Sequence, residues 1–349
     1  LAPARQLREL LIEEPTLLAE AEAALRDSQT GLPLRRALMT VLGSLPDGSG
    51  KATVVRALKA GALVGLERCA VLSLNIIPEE SPPLFQRDDH PYSMEATSGL
   101  VVFVRGAIDD GETREVLTGL LSSGDGEVRL AATRVLRASM TFLDARNALR
   151  RHLGRVESNQ EVRAEAAAAL AHWSRKTNID PEEQGAVLTE LLGSLEESGE
   201  AVRFRLTSPL ALAPLDAEQR AGLHAMATSP DEELRRTVTE VVGRRLQGNQ
   251  GRERDEAIEL LRQLTTSDGS NAVRETAAMQ LRHATGDPNV AATLVRTAQR
   301  DADPEVRAAA VSSLRGFEDA PEASETIRFL RDHDASEIVR AAAQRALGE

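Results

Sequence analysis

Arg300-Asp-Ala-Asp-Pro-Glu-Val-Arg-Ala-Ala-Ala-Val-Ser-Ser-Leu314 decides the fold. A polar turn leads to Asp303, whose short carboxylate can accept the free amides at a helix start. Pro304 suits the first helical position, where its missing N–H costs nothing. Glu305 complements the positive end of the helix dipole. Val306, Ala310 and Leu314 then follow at a spacing of four, which lines one side of a helix.

The same order of residues recurs along the chain. Its arginine falls at Arg129, Arg163, Arg203, Arg235, Arg274, Arg307 and Arg340, with successive steps of 34, 40, 32, 39, 33 and 33 residues. That period suits a helix–turn–helix unit. Four residues before each arginine stands Asp125, Asn159, Gly199, Asp231, Ser270, Asp303 or Ser336, all accepted cap types. One residue before it is Val128, Val162, Val202, Leu234, Val273, Val306 or Val339, and the apolar stripe continues at Ala132, Ala166, Leu206, Val238, Ala277, Ala310 and Ala343. It ends at Leu136, Leu170, Leu210, Val242, Leu281, Leu314 and Leu347. An amphipathic segment precedes each such helix: Glu112–Leu121, Leu143–Val156, Glu182–Leu195, Ala217–Ala227, Asp255–Leu264, Asn289–Ala298 and Ala323–Leu330. Two helices per unit and seven units account for residues 99–349.

The stretch Arg300–Leu314, seven times in register, resembles the HEAT repeat, including its bilin-lyase-like subclass. The resemblance implies an all-α, right-handed solenoid of stacked antiparallel helix pairs. It also implies an acid in the inter-helix turn that meets the repeat arginine, forming a ladder along the stack. Asp268, Asp301 and Asp334 stand there, with Glu157 and Glu197 in two other units and Ser123 and Ser229 in two more. Residues 1–77 read as a helical region with degenerate repeats. Leu34, Leu38 and Leu42 around Arg35 form one further second helix, Leu7–Leu25 its predecessor, and Thr53–Leu74 a long helical run.

Composition agrees with this class. Hydrophobic residues make up 42% and aromatics 2%, so the core must be built of Leu, Val and Ala. The net charge is −12, and the acids are spread along the chain. A field of that sign opposes nonspecific nucleic-acid binding, which needs a basic face. A single cysteine, Cys69, excludes an internal disulfide, a Cys-rich zinc site and an Fe–S cluster, and its apolar surroundings suggest a buried structural thiol. No run approaches the ~20 apolar residues of a membrane helix. The chain begins at Leu1 rather than Met, so a removed leader is expected; cytoplasm is slightly favoured, with periplasm or export open.

Several motifs invite a chemical reading. Gly48-Ser-Gly-Lys51 is followed by Ala52 and lacks the leading glycine of a phosphate-binding loop, so it reads as a turn opening a helix. The histidines are scattered and none precedes a Glu directly. The deoxyhypusine hydroxylases resemble this fold but use repeated His-Glu pairs for di-iron, and those pairs are absent. No catalytic residue, cofactor or metal is therefore assigned, and the chain reads as non-enzymatic. Residues 78–98 form a Pro-rich acidic insertion carrying Phe85, Arg87, His90 and Tyr92, a candidate docking element in a chain so poor in aromatics. Arg134, Arg137, Arg282 and Arg315 project differently from the ladder arginines and are candidates for partner contact. In HEAT-like stacks the second helices line the concave face. The expected function is an interaction scaffold binding a protein or peptide through that face, the 78–98 loop, or both. The alternatives are an accessory subunit of a lyase-type or other enzyme acting on a bound small molecule and, less favoured, a nucleic-acid-binding solenoid. The last repeat ends at Leu347-Gly-Glu, with Ala341 and Ala342 expected at the surface.

Overall fold

A computed structural model describes residues 2–74, 109–153, 157–176, 178–248, 250–317 and 319–348, with side chains from Gln6 onward. The described residues form nineteen α-helices and no strand. They divide into two compact units, Leu1–Trp173 and Ser174–Glu349.

The first unit opens with α1 (Ala2–Glu13) and continues as four pairs: α2 (Leu18–Arg26) with α3 (Leu32–Gly43), α4 (Ser49–Lys59) with α5 (Glu67–Ser73), α6 (Gly111–Leu120) with α7 (Gly126–Leu136), and α8 (Leu143–Arg151) with α9 (Gln160–Trp173). The second unit holds five pairs: α10 (Pro181–Glu197) with α11 (Glu200–Leu212), α12 (Ala217–Ala225) with α13 (Glu232–Arg245), α14 (Arg252–Ser267) with α15 (Asn271–Gln280), α16 (Pro288–Arg300) with α17 (Pro304–Leu314), and α18 (Pro321–His333) with α19 (Glu337–Leu347). Within each unit, second helices pack on neighbouring second helices: α3, α5, α7 and α9 in one row, α11, α13, α15, α17 and α19 in the other. Each unit is thus a stretch of α-solenoid.

The recurring stripe is the core. Val162, Ala166, Leu170, Val273, Ala277, Leu281, Val306, Ala310 and Leu314 are all buried, none more than 1% exposed. The alanines matter because a side chain of one carbon lets adjacent second helices approach closely. The helix starts are capped as their residue types demand. Asp125, Asp231, Ser270 and Asp303 accept amides of the first turn, and Asn159 accepts from Glu161 and Val162.

The N-terminal expectations need two corrections. Leu7–Leu25 is not one helix: Pro15 stops it, and a short 3₁₀ turn at Pro15–Leu17 separates α1 from α2. Thr53–Leu74 is not one run either. It breaks over residues 60–66, where Gly61 and Gly65 adopt φ of 66° and 75°, and returns as α5. That segment supplies a complete helix pair. Cys69 lies in α5 and is partly exposed rather than buried. At the last repeat, Ala341 is partly exposed as expected, but Ala342 is buried at 1%.

Candidate partner-binding surface on the second helices

The repeat arginines are held by their own turn and by the next repeat. Arg274 donates through Nη1 to the Asp268 carbonyl, while its Nε and Nη2 reach both carboxylate oxygens of Asp301 at 2.8 and 2.9 Å. Arg235 binds Asp268 in the same fork at 2.8 and 3.0 Å, and Arg307 binds Asp334 at 3.0 and 2.9 Å. In the first unit Arg129 makes the fork with Glu157 at 2.7 and 2.8 Å. The carboxylate therefore comes from the following repeat, not from the turn that precedes the arginine. Where Ser229 occupies the acid position, Arg203 reaches instead to the cap residue Asp231 at 2.7 Å. Arg340 donates to the carbonyls of Asp334 and Ala335, the equivalent bonds to its own turn. Arg163 is buried in α9.

Each ladder acid is tuned by its setting. Burial opposes ionisation of Asp268 and Asp301, but the arginine fork and the amide two residues on outweigh it, and both sit below the ordinary value of 3.8. For Asp334 the Arg307 hydrogen bonds dominate, in the same direction. His152 Nδ1 lies 3.4 Å from Glu157, yet burial keeps the imidazole below its usual value and mostly neutral. Glu157 thus remains the counter-ion of Arg129.

The ladder removes its arginines from the free surface. What stays available is the outward side of the second helices, one, five and eight or nine residues after each ladder arginine. Those positions lie opposite the buried stripe at 100° per residue. In the second unit they carry Phe204, Ser208 and Leu212 on α11; Arg236, Glu240 and Arg244 on α13; and Glu275, Met279 and Arg282 on and just beyond α15. The next helix, α17, carries Ala308 and Ser312, with Arg315 just beyond its end. Phe204 is 77% exposed, Leu212 56% and Met279 41%. Arg236 is tied to Glu233 and Glu240. Burial together with Glu305 and Asp303 raises the Glu275 carboxyl above its usual value.

Of the arginines nominated from sequence, Arg282 and Arg315 belong to this face. Arg134 and Arg137 sit together on α7 and just after it, each 3.8 Å from Glu165, so both are drawn to one carboxylate. Phe85, Arg87, His90 and Tyr92 lie outside the described residues. Phe204, Leu212 and Met279 were missed, although their distance from the ladder arginine marks them as outward-facing. Gly48–Lys51 opens α4: Gly48 is left-handed at φ 73°, and Gly50 lies so close to α3 that an added Cβ would sit 2.1 Å from the Leu42 carbonyl oxygen. The glycines thus serve a turn and a helix contact. Among the described residues, no group of three or more His, Cys, Asp or Glu is arranged to hold a metal ion, and no helix is long and apolar enough to cross a membrane.

Comparison with known proteins agrees with this architecture. The family model for HEAT repeats matches residues 220–315 and 258–348. Kap95p in a structure with RanGDP is 14% identical with a TM-score of 0.65, the alignment covering 99% of this chain and 47% of that one. Kap95p in complex with Nup1 is 13% identical with a TM-score of 0.61, covering 99% and 48%. Kap121p bound to Ste12p is 15% identical with a TM-score of 0.54, covering 97% and 38%. The chain spans about half the length of the Kap95p structures it matches, and at these identities the likeness concerns the fold alone. None of the curated proteins matches the sequence.

Proposed function

We propose that this HEAT-repeat chain is a non-catalytic scaffold that binds a protein or peptide on the outward face of its second helices. The observation that carries the reading is the exposure of Phe204, Leu212 and Met279 on that face, at 77%, 56% and 41%. Large apolar side chains beside arginines supply what a protein interface uses as anchors. The ladder and caps account for the other polar groups of the second helices, so this face carries no structural duty of its own. The titles of the similar structures pair Kap95p with Ran and Nup1 and Kap121p with Ste12p, so solenoids of this fold do receive proteins.

The test is quantitative capture from an extract of the source organism, with three baits. These are the wild-type chain, the Phe204→Ser/Leu212→Ser/Met279→Ser variant, and a chain lacking Pro82–Ser93. Proteins enriched on the wild type should fall by about tenfold or more on the triple variant, since anchor residues carry most of an interface's energy. Its melting temperature should be unchanged, because surface substitutions shift stability by only about 0.5 kcal/mol. Enrichment retained by the triple variant but lost with the deletion would move recognition to the 78–98 segment. If the wild type enriches nothing, the scaffold reading fails.

A further inference from the structure

Resting on the scaffold reading, we infer that the strip formed by Leu212, Arg244, Arg282 and Arg315 takes an extended acidic peptide with an apolar residue at one end. All four side chains are exposed, and all lie at the C-terminal ends of adjacent second helices, α11, α13, α15 and α17. Among the described residues none of the three arginines is paired with a carboxylate; the side-chain partner of Arg282 is the His283 ring, at 3.1 Å. That sets them apart from Arg235, Arg274 and Arg307, each forked onto an acid on the same helices.

The chain carries a net charge of −12, so an uncompensated row of cations is not the default state of its surface. A guanidinium is planar and presents paired donors that fit a carboxylate. Packed helices stand about 8–10 Å apart, and an extended chain advances roughly 3.3 Å per residue. A peptide crossing the row would therefore meet one arginine at about every third residue. Leu212, 56% exposed on the helix next to Arg244, provides the apolar contact at one end. A peptide is favoured over nucleic acid because Glu240 and Glu275 lie on the same helices beside the row. A narrow chain can follow the arginines without facing those carboxylates, whereas a phosphate backbone would meet them.

The probes are fluorescein-labelled synthetic peptides with Leu at one end and Glu at every third position, Ser and Gly elsewhere, made in both chain directions. A Gln-for-Glu version serves as reference. The wild-type chain should bind one Glu peptide more tightly than the Gln version, and added salt should weaken it. Arg244→Glu/Arg282→Glu/Arg315→Glu should weaken that binding by tenfold or more. Arg296→Glu/Arg300→Glu/Arg328→Glu, an equal charge change on the exposed side of α16 and α18, should alter it less than twofold. Absence of wild-type binding, or equal loss in both variants, overturns the inference. Tighter binding of an oligo-dT strand, lost with the same three arginines, overturns it in favour of nucleic acid. Partners captured from the extract by the wild type and still captured by the strip variant would sink the acidic strip while leaving the scaffold reading intact.

Discussion

Asp301 closes the fork of Arg274 and, through Oδ1, accepts the amide of Asp303 that begins the next second helix. Asp268 and Asp334 repeat both contacts. One carboxylate thus joins consecutive repeats and shapes the turn between helices. Because the fold lowers these carboxyls below 3.8, the unfolded chain binds more protons than the folded one as acid is added. The ladder therefore contributes fully above that ordinary value and loses its contribution as pH falls through the folded values. The variant Asp268→Asn/Asp301→Asn/Asp334→Asn should be less stable at pH 7 by about 1.5–3 kcal/mol per site, the usual worth of a hydrogen bond to a charged group. Urea unfolding from pH 7 down to pH 3 should show the gap to the wild type shrinking below about pH 4. A gap constant over that range would mean that the charge of the ladder contributes nothing.

At the scale of elements, the two glycines before Lys51 act in different ways. Gly48 makes the left-handed turn into α4, a conformation other residues enter at a cost of about 1–2 kcal/mol. Gly50 has ordinary helical backbone, so alanine there would gain up to about 1 kcal/mol of helix propensity. Against that stands the clash of its Cβ with Leu42 backbone, which no side-chain rotation can relieve. Overpacking of this kind costs about 1–3 kcal/mol or more, so the clash should win. Gly50→Ala should lower the melting temperature measured by circular dichroism, with Ser49→Ala near neutral as the reference. A stabilised Gly50→Ala would show that α3 and α4 can separate freely. The same region explains what pattern reading missed. Arg35 and Arg68 are 33 residues apart, the period of the later repeats, but α5 lacks the cap residue and the Val-Arg pair that mark them. Its register is carried by packing on α3 and α7 instead.

At the scale of the molecule, contacts run from each repeat to its neighbours, so stability is close to a sum of local terms. The second unit has its own stripe, caps and four inter-repeat ion pairs, Arg203–Asp231, Arg235–Asp268, Arg274–Asp301 and Arg307–Asp334. Residues 174–349 expressed alone should be helical and melt cooperatively; a broad transition with strong dye binding would show that they need residues 1–173. The recurring Val-Arg pattern by itself determined the helix pairs, the period and the core from residue 110 onward. It could do so because capping, dipole and periodicity are local properties, written within one repeat. Local pattern also named Asp268, Asp301 and Asp334 as ladder acids, but not the arginine each would serve. That pairing reaches across about 30 residues and depends on how one helix pair seats on the next. Which side chains stay exposed is likewise decided only when neighbouring helices have covered the rest. Phe204 and Phe317 are the same residue type, yet packing buries Phe317 to 4% and leaves Phe204 at 77%.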